Sequence, residues 1–246
     1  MSKFELHHGD CLEVMEVIPP RSMDIVATDP PYMIGAVSVG AGETQKSGTW
    51  ADMENAAYWF AAWMGHCKRI LKDTGYLLCF GNWRSMPTLI RALSLCNMPA
   101  TSCMIWDKNW IGPAAPNQLR PRYEIVLFSA KPKAKIENRS APDIFVHKWL
   151  AGHCKETEHP AEKPVELMRH LLKICGHPGC NVLDPFMGTG TTGKAAILED
   201  MAFFGIEREQ KWVDQARIRL EGVSKARRQN FIADLTQPTE ATCSPA

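Results

Sequence analysis

No apolar run in this sequence approaches the ~20 residues that a membrane-spanning helix needs. No charged segment followed by a short apolar stretch opens it either, so neither a bilayer span nor a secretory leader is expected. Neither sign of charge dominates, because 28 Lys and Arg face 27 Asp and Glu and leave a formal +1. Attraction to a polyanion must therefore come from local clustering of cations. The nine cysteines are odd in number and scattered, which argues against a secreted disulfide framework and for reduced thiols in a cytoplasm. No internal repeat is visible. What remains is 246 residues with 45% hydrophobic content, enough for one sizeable core. A single domain over 1–229 is expected, carrying a mobile loop at 33–54, an insertion at 130–158 and a flexible tail at 230–246.

Apolar periodicity alternates between strand and helix along the chain. Phe4–His8 reads as a strand and Cys11–Val17 as a helix that Pro19 and Pro20 end. Met23–Thr28 is the next strand, followed by Asp29-Pro30-Pro31-Tyr32 and a stretch rich in Gly, Ser and Ala. A helix is predicted over Asn55–Leu71 with Gly75 as its cap, then a strand over Tyr76–Phe80 and a helix over Arg84–Leu95. Strands are predicted at Thr101–Trp106 and Tyr123–Ser129. The region 130–158 is polar and basic, with Lys131, Lys133, Lys135, Arg139, Lys148 and Lys155. Regular alternation returns with helices at Lys163–Cys175, Thr191–Glu199 and Gln210–Gly222 and strands at Asn181–Asp184 and Ala202–Ile206. Such alternation predicts an α/β fold, a doubly wound, mainly parallel sheet covered on both faces.

Two motifs carry chemistry. Val182 to Gly193 runs from a strand through Asp184-Pro185-Phe186-Met187-Gly188-Thr189-Gly190 into a helix beginning at Thr191. Glycines in such a turn let the backbone approach a ligand, and the helix N-terminus offers free N–H groups. Glu207 ends the next strand, where a carboxylate can accept hydrogen bonds from ribose hydroxyls, so the pattern describes an adenosine site. Gly188 to Lys194 also spells most of a phosphate-binding loop, but Ala195 stands where that loop needs a hydroxyl for magnesium. A turn serving packing alone would leave Asp184 and Glu207 unexplained at two strand ends.

The second motif is Asp29-Pro30-Pro31-Tyr32, at the carboxyl end of a predicted strand where open α/β sheets form their crevices. The exocyclic amine of an aromatic base is a weak nucleophile because its lone pair is delocalised. A carboxylate at Asp29 and the Pro30 carbonyl can each accept one N–H and favour the pyramidal nitrogen that attacks a methyl sulfonium. The fixed φ angles of Pro30 and Pro31 hold that carbonyl in place, and Tyr32 offers a face on which an extruded base can stack.

With both motifs in hand, the sequence resembles the amino-methyltransferases that act on adenine N6 or cytosine N4 of DNA. The early tetrad and late glycine turn resemble the circularly permuted beta group, over about Phe4 to Glu221. The resemblance implies a Rossmann-like S-adenosylmethionine-dependent methyltransferase with Asp29, Pro30, Pro31 and Tyr32 in catalysis. It assigns the cofactor to Asp10, Asp29, Lys163, Asp184, Phe186, Gly188, Gly190, Thr191 and Glu207. Asp10 would lie at the cofactor's adenine, and the run His159 to Pro164 would place Lys163 at its methionine part. Trp106-Asp107-Lys108 and Arg122-Tyr123-Glu124 also look familiar, without an assigned role. The tetrad begins with Asp, which in the family accompanies adenine, whereas a Ser start accompanies cytosine N4.

DNA is the implied partner, with the region 130–158 as a short target-recognition segment, the loop 33–49 closing over the extruded base and a homodimer completing the surface. A prokaryotic or phage restriction-modification setting fits that reading. The cations between Arg120 and Lys155 would contact phosphates. His147, His153, Cys154 and His159, like Cys175, His177 and Cys180, lack regular zinc-ligand spacing, so no metal is expected. Trp50, Trp59 and Trp63 at near-helical spacing are read as core. Two rivals have clear signatures: a protein-glutamine methyltransferase would begin its tetrad with Asn, and a regulator without turnover would lack Asp29 or Tyr32.

Overall fold

The computed structural model describes residues 4–31, 53–112, 114, 116–136, 139–150, 156–157 and 162–236. Tyr32, Trp50, nearly all of the loop expected at 33–54, His153, Cys154, Lys155, His159 and residues 237–246 lie outside them. In chain order the elements are β1 (Phe4–His8), α1 (Cys11–Val17), β2 (Met23–Thr28), α2 (Met53–Ile70), β3 (Leu71–Gly81), α3 (Met86–Leu95) and β4 (Ser102–Asp107). They continue with β5 (Tyr123–Ala130), β6 (Ile144–Val146), α4 (Val165–Cys175), β7 (Asn181–Asp184), α5 (Thr191–Leu198), β8 (Ala202–Glu207) and α6 (Gln210–Thr236).

All eight strands form one sheet in the order β1-β8-β7-β2-β3-β5-β4-β6. Every pairing is parallel except those of β5, which runs antiparallel to β3 and β4. Side-chain alternation splits the core into two. Ile25, Ala27, Leu78 and Phe80 face α4, α5 and α6, whereas Val26, Leu77 and Cys79 face α1, α2 and α3. Strands buried on both faces read as near-continuous apolar runs, which is why Met23–Thr28 and Tyr76–Phe80 stand out in the sequence. The expected α/β class and mainly parallel sheet are therefore present.

Two local expectations need correction, and one region gains an element. Gly75 does not cap α2, because the chain passes directly from Ile70 into β3. Leu71 pairs with Met23 and pairing resumes at Tyr76 with Ile25, so Lys72–Gly75 form an excursion. A Cβ on Gly75 would lie 2.9 Å from the Asp24 carbonyl oxygen, which requires glycine there. Next, α6 does not stop at Gly222 but continues to Thr236, so no tail begins at 230. Arg227 anchors that extension, donating 2.9 Å to the Ile197 carbonyl at the end of α5 and pairing with Asp200 at 2.7 Å. Finally, the basic region 130–158 contains an edge strand, β6, whose Ile144-Phe145-Val146 pair with Ile105-Trp106-Asp107.

The topology decides where chemistry can occur. The carboxyl ends of β1, β8, β7, β2 and β3 share one rim, which collects His8, Glu207, Asp184, Thr28 and Gly81. Because β5 is antiparallel, its first residues Tyr123 and Glu124 join that rim while Ala130 pairs with Tyr76 at the opposite end.

Candidate active site

β7 lies between β8 and β2, so the late glycine turn and Asp29-Pro30-Pro31 emerge from neighbouring strands. The side chains confirm the junction. Asp184 is buried at the end of β7 and accepts from Thr28 Oγ1 at 2.7 Å and the Phe186 N–H at 3.0 Å through Oδ1. Its Oδ2 accepts from Thr192 Oγ1 at 2.6 Å. Burial pushes the Asp184 carboxyl up to about 6, against the pull of those hydrogen bonds. Asp184 thus ties the turn, α5 and the residue before Asp29 together.

The turn itself uses glycine for conformation. Gly188 has φ 50° and Gly190 φ 78°, a region that side-chain-bearing residues seldom enter. The Gly188 N–H donates to Glu207 Oε2 at 3.0 Å and the Glu209 N–H to Oε1 at 2.9 Å. A carboxylate has about four lone-pair sites, so Glu207 keeps acceptor capacity. The Gly9 N–H donates to the Glu207 carbonyl at 3.0 Å, which brings Asp10 to the same corner. Asp10 caps α1, accepting from the Leu12 N–H at 2.9 Å. Phe186 packs against Trp59 and Trp63 at ring-centroid distances of 5.8 and 5.3 Å. Trp63 is fully buried and Trp59 packs on the same core cluster, in line with their reading as core.

Thr191 points its hydroxyl to α6 rather than standing free, because Oγ1 accepts from Arg219 Nη1 at 3.1 Å. Arg219 also donates to the Thr189 carbonyl at 3.3 Å, to Glu156 at 2.9 Å and to Glu162 at 2.7 Å. Glu162 accepts from the Thr157 N–H and hydroxyl at 3.0 and 2.7 Å, and Lys194 pairs with Glu156 at 2.7 Å. This strap braces the glycine turn from below. The sequence reading missed Arg219, Glu162, Thr28 and Thr192. Glu162 stood inside the quoted run, but nothing in the pattern of α6 singles out Arg219.

Across the rim from the glycine turn lies a chain of alternating charges. Lys163 Nζ is 2.5 Å from Asp29 Oδ2 and 3.3 Å from Glu124 Oε2, and Lys108 Nζ is 3.4 Å from Glu124 Oε1. The Lys163 ammonium, expected at a cofactor, is placed on two carboxylates and 5.2 Å from the Phe80 ring centroid. Burial works to discharge it, but Asp29 and Glu124 outweigh burial and hold it protonated above the usual lysine range. For Glu124 burial likewise raises the carboxyl, and Lys163 and Lys108 reverse that and hold it below the usual range. Asp29 Oδ1 is buried and, among the described residues, has no hydrogen-bond partner. Pro30 is buried and Pro31 exposed, whereas Tyr32 lies outside the described residues.

The basic region divides between the two ends of the sheet. Lys131 and Lys133 hang on the far end, where Lys133 pairs with Asp73 and Lys131 donates to the Lys68 carbonyl. Lys135 and Arg139 line a cavity of about 760 Å³ there with Tyr76, Met104 and Phe128. Five residue steps of β3 separate Tyr76 from Gly81, roughly 17 Å at strand rise. These four cations are therefore remote from Asp29, a correction to the expected strip. The rim instead carries Trp83 with Arg84 at 5.3 Å, and a bent connection between β4 and β5 closed by the Gly112 N–H to Pro121 carbonyl bond of 2.8 Å. Trp110 is 45% exposed and Leu119 96%. Trp149 stacks on Trp106 and Trp110 and lies 5.4 Å from the Lys108 ammonium. Among the described residues no group of His, Cys, Asp and Glu could hold a metal ion, and no helix is long and apolar enough to cross a membrane.

A family model described as DNA methylase matches residues 23–217. The chain is similar to a protein named as a methylase, YubD of Escherichia coli (strain K12), with 26% identity over 234 residues, 95% of this chain and 96% of that one. It is 27% identical over 244 residues to the Type II methyltransferase M.HinfI of Haemophilus influenzae, covering 87% of this chain and 67% of that one. Among solved structures, the M1.HpyAVI–SAM complex superposes with TM-score 0.69 at 24% identity, covering 88% of this chain and 98% of that one. The PvuII DNA methyltransferase, cytosine-N4-specific, superposes with TM-score 0.70 at 17% identity over 93% of each chain, a likeness of fold.

Proposed function

Because this chain belongs to the N6/N4 DNA methylase family, we propose that it transfers a methyl group from S-adenosylmethionine to an exocyclic base amine of DNA, N6 of adenine. The observation that carries this reading is the open acceptor at Asp29. A buried carboxylate oxygen without a donor costs stability, and Oδ1 is such an atom at the rim where the two motifs meet. An exocyclic amine brings two N–H groups; Asp29 Oδ1 accepts one and the Pro30 carbonyl the other. Acceptors on both N–H groups push density back onto the nitrogen and localise its lone pair for attack. As the N–C bond formed, the sulfonium S–C bond would break and the thioether would leave, and the proton released afterwards passes to Asp29 or solvent.

The corner formed by Gly188, Gly190, Asp10 and Glu207 suits S-adenosylmethionine, with Glu207 retaining lone pairs for ribose hydroxyls and Phe186 offering an aromatic edge. S-adenosylmethionine bound there would supply the electrophilic methyl. Asp184 and the Arg219 strap hold the turn in shape for it. A stacked base is out of reach of Asp29, so the target nucleotide swings out of the duplex at a cost of a few kcal/mol. The DNA is read as lying across the rim that presents Trp83, Arg84, Trp110 and Leu119.

Adenine is favoured by the Asp start of the tetrad, and Tyr32 is assigned the stacking face. Cytosine N4 needs the same two acceptors and is the alternative. An Asp29→Ala variant is expected to bind S-adenosylmethionine like the parent in calorimetry while tritiated methyl transfer to DNA falls about 100-fold or more. Undiminished transfer would remove Asp29 from the reaction.

A further inference from the structure

We propose that Lys163 and Glu124 are positioning residues for methyl transfer: Lys163 fastens Oδ2 of Asp29 so that Oδ1 stays presented to the target amine, and Glu124 fastens Lys163. The inference rests on the role given to Asp29 above and adds the groups that set its orientation.

Three separate parts of the fold converge to make this arrangement. Asp29 follows β2, Glu124 is the second residue of β5, and Lys163 precedes α4. Lys163 Nζ bridges the two carboxylates at 2.5 and 3.3 Å with only 9% of its side chain exposed. A free aspartate carboxylate exchanges its two oxygens by a simple rotation. A charge-assisted bond to one oxygen fixes which is spent and which is offered. The structure has one spent, Oδ2, and one, Oδ1, that is buried without a partner among the described residues.

Glu124 is needed because lysine carries three donors on a flexible stem and would otherwise be free to follow any anion entering the crevice. DNA phosphate is one such anion. With Glu124 on one side, the Phe80 ring at 5.2 Å and Asp29 on the other, the ammonium is confined. Lys108, 3.4 Å from the far oxygen of Glu124, completes an alternation of negative and positive charge. The charges of Asp29, Lys163, Glu124 and Lys108 cancel, and Asp29 keeps one oxygen free of donors among the described residues.

The test compares Lys163→Met, Lys163→Arg, Glu124→Gln and the Lys163→Met/Glu124→Gln double variant, each measured for S-adenosylmethionine Kd by calorimetry and for kcat and KM in DNA methylation. Lys163→Met is expected to lower kcat about 100-fold while cofactor Kd and both KM values stay within about threefold, the mark of an interaction needed in the transition state. Lys163→Arg restores about a tenth or more of the parental kcat, because the cation is kept. Lys163→Met leaves the Asp29 and Glu124 carboxylates without the cation between them, so their repulsion disfavours the ionised Asp29 and adding Glu124→Gln recovers about tenfold, a coupling of opposite sign to two independent losses.

A Lys163→Met variant whose cofactor KM rises at constant kcat would place Lys163 on the cofactor and overturn the proposal. Equal losses in the Met and Arg variants together with weakened cofactor binding would make the pair structural and overturn it too. Should Lys163→Met fail to bind cofactor at all, Glu124→Gln decides alone: a lower kcat at unchanged KM supports the proposal, and an unchanged kcat ends it. Loss of activity in Asp29→Ala with a normal Lys163→Met defeats only this inference, whereas normal activity in Asp29→Ala defeats the reading beneath it.

Discussion

Two carboxylates end adjacent strands and are kept in opposite conditions. Asp184 takes donors on both oxygens from Thr28, Phe186 and Thr192, whereas Asp29 spends one oxygen on Lys163 and leaves the other open. The first is a joint, and the second is the acceptor that the proposed reaction would use. Asp184 also makes a pH signature. Its carboxyl is raised from 3.8 to about 6, so the folded chain binds a proton that the unfolded chain releases. The stability it contributes is full below about pH 4 and is lost as pH rises through about 6, a swing on the order of 3 kcal/mol. Urea midpoints of the parent and Asp184→Asn across that window should show the parent losing stability relative to the variant as pH rises. Parallel curves would refute the assignment. The amide fills the same volume and its two faces can still accept from and donate to the threonine hydroxyls.

At the level of elements, the glycine turn and α5 work because backbone sits where side chains cannot. A Cβ on Gly190 would lie 3.1 Å from the Ala216 Cβ on α6 and would occupy φ 78°. A Cβ on Gly193 would lie 2.6 Å from the Phe203 ring on β8. Gly190→Ala is expected to cost about 1–3 kcal/mol in denaturant unfolding and to weaken S-adenosylmethionine binding in calorimetry, because the turn must shift to relieve the strain. A variant as stable and as cofactor-competent as the parent would show that the turn tolerates another conformation. These glycines were legible in the sequence, as were β2, β7 and their strand-end carboxylates, because buried parallel strands and left-handed turns restrict residue type at each position. What was not legible came from pairing across long sequence distances. Arg219 reaches back to Thr189 and Glu162, and Lys163 to Asp29 and Glu124, and no local pattern encodes such partners. Gly75 and Gly222 misled for a related reason, since a glycine looks like a helix stop whether it relieves a close carbonyl contact or simply rides on a helix that Arg227 prolongs.

At the scale of the molecule, the antiparallel strand β5 separates two basic surfaces. It carries Glu124 to the rim beside Asp29 and delivers Lys131 and the residues after it to the far end. Composition alone joined Arg120 to Lys155 into one strip, whereas topology divides it. Charge reversal at Lys135 and Arg139 should therefore leave DNA retention in a gel-shift titration unchanged. Trp110→Ala with Arg84→Ala should weaken retention about tenfold or more without altering cofactor affinity. The opposite ranking would move the DNA to the far end.

The convergence of Asp29-Pro30 and the late glycine turn on neighbouring strand ends has a direct chemical readout. DNA incubated with the purified chain and S-adenosylmethionine carrying a labelled methyl group can be digested to nucleosides and analysed by mass spectrometry. The account predicts label on the exocyclic nitrogen of adenine, absent when Asp29→Ala replaces the parent. Label on a ring carbon, or on the same nitrogen in equal amount with Asp29→Ala, would contradict it.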